Sequence, residues 1–240
     1  MKKIYDKNEL TFALIWIGIY VVLLSVAENV SQTVGIAKAV TAPVCIVLTL
    51  IIYLCIRRND LKKKYGICSF EASVKKYLYF IPLVLLASTN LWWGFQLNLT
   101  LIESFFYVVS MLCVGFLEEV IFRGFLFKAI SKTNVKQAII ISSVTFGLGH
   151  IVNLLNGKDI PETLIQICYA VAIGFLFTII FYKGKSLWPC IITHSVINSL
   201  SAFANEKTIT IYKHLAGCIF LCVVSIGYAL YILKKTGKPQ

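Results

Sequence analysis

The sequence predicts an all-α integral membrane protein, a polytopic bundle of about eight transmembrane helices in a single domain over residues 1–240. Three observations lead to this prediction. Apolar runs of about 20 residues, enough to cross a bilayer, occur eight times. Hydrophobic residues make up 58% of the chain, and mean hydropathy is +0.81. Basic residues are concentrated in alternate connections between the apolar runs, as the positive-inside rule predicts for a multi-pass protein.

The eight predicted spans can be placed directly on the sequence. They cover residues 10–27, 37–56, 77–95, 105–127, 137–155, 163–182, 187–203 and 215–233. The third is the least regular, because it contains Pro82 and Asn90. The connections are short, so we expect no appended soluble domain. No cleavable signal peptide is expected, because the first apolar run is long and no small-residue cleavage site follows it.

The charge pattern predicts the orientation in the membrane. On one side lie Lys2, Lys3, Lys7, Arg57, Arg58, Lys62, Lys63, Lys64, Lys75, Lys76, Lys128, Lys132, Lys136, Lys183, Lys185, Lys234, Lys235 and Lys238. The other side has only Lys38, Lys158, Lys207 and Lys213. This asymmetry predicts a plasma-membrane protein with both termini in the cytosol, and the many Ile, Lys and Asn residues favour a bacterial source. The net charge of +12 is explained by membrane topology and contact with lipid headgroups, so no nucleic-acid partner is expected.

The eight cysteines do not indicate a disulfide framework. Seven fall inside apolar runs, Cys68 lies in a basic loop, and no Cys-x-x-Cys pair occurs. We interpret them as reduced, small hydrophobic residues.

The predicted fourth span contains a run of charges, 114-VGFLEEVIFRGFLF-127. An ionisable residue at bilayer depth is costly and points to a functional site that faces the protein interior. Glu119 and Arg123 are spaced i, i+4 with the acid first, the favourable order for an ion pair. Glu118 is rotated by about 100° from Glu119, so it remains a candidate general base or acid. The structural alternative is a buried Glu–Arg lock between helices.

Two further spans place polar groups at similar depth. His150 lies in 146-FGLGH-150 of the fifth span, and His194 and Asn198 form an i, i+4 pair in 194-HSVIN-198 of the seventh. Two hydrogen-bond donors on one helix face are suited to stabilising an oxyanion. The alternatives are a hydrogen-bonded packing histidine at His150 and an interhelical polar clamp at His194 and Asn198. We expect the three stretches to form one site, with a catalytic core of about residues 105–204.

The stretches 118-EEVIFR-123, 146-FGLGH-150 and 194-HSVIN-198 resemble the motif set of the CPBP family. This family takes in the Ras-converting CAAX endopeptidases and bacterial proteins linked to bacteriocin processing, self-immunity and abortive infection. The resemblance implies an intramembrane endopeptidase with an all-helical fold of eight spans. It implies that Glu118 and His150 activate water, that His194 and Asn198 stabilise the oxyanion, and that Glu119 and Arg123 support them.

The resemblance also implies the substrates, which are prenylated CAAX-type peptides or small bacterial peptides. The sequence leaves the metal question open, because Glu118, His150 and His194 are also suited to a zinc site. A metal-free glutamate mechanism with no required cofactor is favoured, because a Glu–His pair can activate water directly. A non-enzymatic alternative is a bacteriocin-immunity or proton-coupled membrane protein, since buried Glu and His chains occur in proton pathways.

Overall fold

The structure is a computed structural model that describes residues 2–69, 80–205 and 210–236. The helices are α1 (Lys2–Lys7), α2 (Glu9–Val34), α3 (Thr41–Arg58), α4 (Ile81–Ser88), α5 (Leu101–Ile130), α6 (Val135–Leu154), α7 (Ile160–Gly184), α8 (Trp188–Ser201) and α9 (Ile211–Lys235). A short 3-10 turn, Thr89–Leu91, follows α4, and the last turns of α6, His150–Leu154, are also 3-10 helical.

Six of the helices in the described ranges are long and apolar enough to cross a membrane, namely α2, α3, α5, α6, α7 and α9. They correspond to six of the eight predicted spans, although most begin or end several residues away from the predicted bounds. The chain is therefore an all-α, multi-pass membrane protein, and the predicted fold class is confirmed.

The predicted third and seventh spans form shorter helices than expected. The third contains α4, with eight residues, and the seventh contains α8, with fourteen. Fourteen residues make a helix of about 21 Å, shorter than a hydrocarbon core of about 30 Å. Residues 77–79 of the third span lie outside the described residues, as do Lys75, Lys76, Lys207 and Lys238.

The short length of α8 has a physical explanation at its C-terminal end. The side-chain amide of Asn98 donates to the carbonyls of Ala202 and Ala204, at 3.2 and 2.8 Å. The backbone N–H of Gln96 donates to the carbonyl of Phe203 at 2.9 Å. These carbonyls are satisfied by protein, so the chain can leave the helix without exposing unpaired backbone groups. The apolar run in the sequence does not reveal this.

The predicted basic connections meet at one end of the bundle. Glu9 pairs with Lys64 and with Lys132, the latter at 2.9 Å, which joins the start of α2 to the loops after α3 and α5. The N–H of Leu187, before α8, donates to the carbonyl of Gly66 at 2.9 Å. Burial lowers the pKa of Lys64, but its hydrogen bonds to Glu9 and Tyr5 outweigh this and raise the pKa above its ordinary value. These contacts agree with the predicted alternation; which side of the membrane this end faces stays a prediction.

Helix α5 changes its geometry at the charged run. Glu119–Phe127 forms a π-helix, whose nine residues are all buried. A π-helix is rare and typical of functional sites, and the sequence pattern did not predict it. The hydroxyl of Ser142, on α6, donates to the carbonyl of Phe122 at 2.9 Å and so stabilises this widened segment from outside. We refer to Glu119–Phe127 as the π segment.

Close packing at Gly115 fixes α8 against α5. A Cβ atom on Gly115 would lie 2.2 Å from Ser195 Oγ and 2.8 Å from Ser195 N. Backbone atoms cannot rotate away as a side chain can, so any side chain at position 115 would push α8 outward.

We predict that Gly115→Ala lowers stability by about 1–3 kcal/mol through overpacking. The matched control is Gly227→Ala on α9, where an added Cβ meets no heavy atom within 4 Å. The control should be neutral or slightly stabilising, because alanine is the better helix former. Thermal denaturation of the purified proteins in detergent provides the comparison. Equal melting temperatures for the two variants would contradict the close α5–α8 contact.

Candidate active site

Three helices bring their polar side chains to one buried position. Helix α5 contributes Glu118, Glu119 and Arg123, α8 contributes His194, and α2 contributes Tyr20. Glu118 is the last residue before the π segment, and Glu119 is its first. We call these five residues the polar cluster.

Glu119 is the most heavily bonded member of the polar cluster. Its Oε1 atom accepts from Arg123 Nη1 at 3.0 Å and lies 2.9 Å from His194 Nδ1. The side chains of Glu119 and Arg123 are 0% exposed. The i, i+4 ion pair predicted from the sequence is therefore present. A buried pair requires further hydrogen bonds to offset the loss of hydration, and His194 provides one.

The guanidinium of Arg123 lies in an aromatic slot. Its Cζ atom is 4.0 Å from the centroid of the Phe146 ring and 5.9 Å from that of Phe177, distances at which cation–π attraction is effective. A Cβ atom on Gly174, on α7, would lie 3.1 Å from Arg123 Nη2 and 3.0 Å from Phe146 Cδ1. Gly174 thus leaves room for the guanidinium, a role that sequence analysis missed.

Glu118 has a different environment from Glu119. Its Oε1 atom accepts a hydrogen bond of 2.6 Å from the hydroxyl of Tyr20, and its Oε2 atom lies 3.5 Å from His194 Nε2. Its side chain is 14% exposed. Arg123 pairs with Glu119. No arginine or lysine in the described ranges forms a salt bridge with Glu118. The structure agrees with the expectation that one arginine neutralises one glutamate and leaves the other carboxylate available.

The imidazole of His194 lies between the two glutamates. A neutral imidazole that donates from Nδ1 to Glu119 has a bare Nε2 atom facing Glu118. Two carboxylates and one guanidinium would give the polar cluster a net charge of −1. One additional proton, on His194 or between His194 and Glu118, makes the cluster neutral. A neutral cluster costs less to bury than a charged one.

His150 lies next to the polar cluster, on the other side of Phe146. The Phe146 ring is 5.7 Å from the His150 ring and 5.5 Å from the His194 ring, edge to face in both cases. Gln166 Nε2 lies 3.4 Å from His150 Nδ1, and Gln166 Oε1 accepts from Asn153 at 2.9 Å. Because the Gln166 oxygen is already bonded, its amide N–H is the group that faces His150. Neutral His150 then has its proton on Nε2 and is a donor there.

Asn198 lies on α8 one turn after His194 and is half-buried. No hydrogen bond to its side chain is found within the described part of the chain, whereas its backbone carbonyl accepts from Ser201 Oγ at 2.6 Å. The structure therefore shows no interhelical clamp made by the Asn198 amide. The predicted role of Asn198 as an oxyanion donor stays a prediction.

The zinc alternative can be compared with the positions of its three predicted ligands. Glu118 and His194 lie close together, and the contact of His194 with Glu119 is typical of a metal-bound histidine. His150 does not complete the set: in the described ranges the ligand atoms of Glu118, His150 and His194 do not all lie within 4.8 Å of one another. With the side chains placed as they are, these residues do not fit a three-ligand zinc site.

Of the residues predicted from the sequence, five come close together: Glu118, Glu119, Arg123, His194 and, across Phe146, His150. Tyr20 was missed, because it lies about a hundred residues before the motifs. The one indication of its role was that it lies in the middle of the first apolar run, where a buried hydroxyl needs a hydrogen-bond partner.

Comparison with known proteins matches the same part of the chain. Residues 100–200 match the family described as type II CAAX prenyl endopeptidase, Rce1-like. YdiL of Bacillus subtilis (strain 168), named as a candidate membrane peptidase, is 34% identical over 93 residues, which is 38% of this chain. The match spans about a third of that relative's length, 34%. The resemblance predicted from the three motifs is thus confirmed for the stretch that contains them.

We predict that Arg123→Ala strongly lowers the yield of folded protein. It leaves Glu119 as a buried, uncompensated charge, at a cost of about 3–5 kcal/mol. Fluorescence-detected size exclusion of detergent extracts measures the folded fraction. Arg58→Ala, which removes an exposed guanidinium, is the matched control and should keep the wild-type yield.

The double variant Glu119→Gln with Arg123→Ala should recover part of the yield lost by Arg123→Ala, because it removes the stranded charge. A yield for Arg123→Ala equal to that of Arg58→Ala would show that the buried pair does not stabilise the fold.

Proposed function

We propose that this chain, whose residues 100–200 match the Rce1-like branch of the CPBP membrane proteases, is an endopeptidase that hydrolyses peptide bonds within the membrane. One observation supports this function above the others. Glu118 is a carboxylate inside an apolar helical bundle, held by Tyr20 and His194, while the nearby arginine is bound to its neighbour. An arrangement that serves stability alone does not require a second carboxylate that pairs with no arginine or lysine.

In the proposed reaction, Glu118 is the general base. Its carboxylate accepts a proton from a water molecule as the water oxygen attacks the scissile carbonyl carbon. The carbonyl π electrons move to oxygen and form the tetrahedral oxyanion. When the C–N bond breaks, Glu118 returns the proton to the leaving amine, so the enzyme ends in its starting state. The hydrogen bond from Tyr20 fixes the direction in which this carboxylate points.

The two histidines have different proposed roles. His194, held by Glu119, is a donor for the oxyanion in this proposal when its Nε2 atom carries a proton, and the amide of Asn198 one turn later provides a second donor. His150 donates from Nε2 when Gln166 donates to its Nδ1, so it suits orienting the water and not accepting its proton. We therefore assign proton abstraction to Glu118 alone, with His150 as the residue that positions the water.

We further propose a metal-free reaction, because His150, the third candidate zinc ligand, does not converge with Glu118 and His194. The proposed substrates are membrane-associated peptides of the CAAX type or small bacterial peptides. We propose that they enter from the basic end of the bundle, which we place in the cytosol by the positive-inside rule, where anionic lipids would contact the lysines.

We predict that Glu118→Gln removes cleavage while the protein remains folded. The amide keeps the size of the side chain but cannot accept a proton, so turnover should fall by about 10²–10⁴-fold, the contribution of general base catalysis. Comparative peptidomics of membranes containing wild type or Glu118→Gln should reveal peptides that are cleaved only by wild type. Glu162→Gln, at an exposed carboxylate on α7, is the control and should cleave as wild type does.

The same assay separates the alternatives. Cleavage that survives prolonged chelation supports the metal-free reaction, whereas loss on chelation and recovery with added zinc would refute it. If Glu118→Gln and wild type give identical peptides although the protein retains a measurable immunity or transport phenotype, the non-enzymatic alternative is correct.

We also predict that Tyr20→Phe lowers kcat by about 10–100-fold with little change in KM. A hydrogen bond to a charged group is worth about 1.5–3 kcal/mol, and here it orients the base without binding substrate. The control is Tyr107→Phe, which breaks a 2.8 Å hydrogen bond between hydroxyls of Tyr107 and Ser201. Tyr107 lies about 16 Å along α5 from Glu118. Equal losses of kcat in both variants would mean that Tyr20 contributes only to packing.

A further inference from the structure

Three cysteines converge between α7 and α9, away from the polar cluster. The Sγ atoms of Cys168, Cys218 and Cys222 all lie within 4.8 Å of one another. Cys168 lies on α7, whereas Cys218 and Cys222 lie one turn apart on α9, on the same face of the helix. No other group of three His, Cys, Asp or Glu side chains converges in this way within residues 2–69, 80–205 and 210–236.

Packing accounts for one of these cysteines better than for the other two. Cys218 is buried, and its thiol donates to the carbonyl of Ile165 on α7 at 3.7 Å. Cys222 is half-buried and Cys168 is exposed. Cys168 therefore does not fill the core of the bundle. Burial in the core therefore does not by itself explain why these three thiols lie together.

The ligand atoms favour a thiophilic ion. Thiolates select Cu(I), Zn(II) and iron–sulfur clusters. Structural zinc sites have four protein ligands, but within the described ranges no fourth His, Cys, Asp or Glu atom joins these three. With metal–sulfur bonds of about 2.3 Å, three sulfurs around one ion are about 4 Å apart. The observed spacing therefore requires only a small contraction of the site.

We propose that Cys168, Cys218 and Cys222 form a binding site for one Cu(I) ion between α7 and α9. A monovalent ion suits this depth better than a divalent one, because the cost of removing an ion from water increases with its charge. Each thiol that binds as a thiolate releases its proton, so Cu(I) binding becomes weaker as pH falls. Binding involves no change in oxidation state.

The position of His214 gives the ion a route to the site. His214 precedes Cys218 by four residues and is half-buried, so His214, Cys218 and Cys222 form a ladder along one face of α9. Cys218 lies about 10 Å from the start of this helix at Ile211. That start is at the end of the bundle opposite the basic connections. A copper ion that arrives at this end would meet the imidazole before the thiols.

The test is competition between the full-length protein in detergent and the Cu(I) chelator bicinchoninate, without oxygen. Wild type should remove one equivalent of Cu(I) from the chelator. Cys168→Ser and Cys222→Ser should each bind at least about 100-fold more weakly, because changes to outer-shell groups alone cost 10–100-fold. The matched control Cys55→Ser, at a half-buried cysteine on α3, should bind as wild type does.

Glu118→Gln tests whether the copper site is independent of the proposed peptidase reaction. This variant should bind Cu(I) as wild type does. Equal affinities for wild type, Cys168→Ser and Cys222→Ser would overturn the proposal. So would Zn(II) binding in the absence of Cu(I) binding, or a disulfide at Cys168 in freshly purified protein. If the melting temperature shows that one serine variant does not fold, the Cu(I) affinity of the other serine variant decides the outcome.

Discussion

The cost of burying the Glu119–Arg123 pair constrains the rest of this structure. Both side chains are 0% exposed, and a buried ion pair is tolerated only where additional groups stabilise it. Three features offset part of that cost: His194 contacts Glu119, Phe146 lies under the guanidinium, and Gly174 leaves space for it. The same contacts place His194 against Glu118, so the residues that stabilise the pair also arrange the candidate site.

The charge balance connects stability with chemistry. Two carboxylates share one arginine and one histidine, and neutrality requires one proton on the Glu118–His194 pair. The Glu118 carboxylate is also held by the hydroxyl of Tyr20 at 2.6 Å. Groups that are held in fixed positions need little reorganisation when a proton moves between them. The bundle thus places the Glu118 carboxylate and the His194 imidazole 3.5 Å apart, next to the buried Glu119–Arg123 pair.

Several contacts of the candidate site could be predicted from the sequence, because they depend on residue spacing within one helix or on depth in the membrane. The i, i+4 pair of Glu119 and Arg123 and the different environment of Glu118 follow from helical periodicity and the cost of buried charge. The presence of His194 in the same site follows from its similar predicted depth in the membrane. Tyr20 could not be predicted, because its contact depends on how α2 packs. The π segment was missed because its sequence also fits an α-helix, and α8 is short because residues 96–98 satisfy its last carbonyls.

The central claim is that Glu119 fixes the proton on Nδ1 of His194 and so directs Nε2 to Glu118. The chain has three histidines, so ¹⁵N NMR of histidine-labelled protein can resolve His194 by comparison with His194→Gln. We predict a protonated Nδ1 in wild type at neutral pH, and loss of this preference in Glu119→Leu if that variant folds. A bare Nδ1 with the proton on Nε2 alone in wild type would contradict the proposed arrangement.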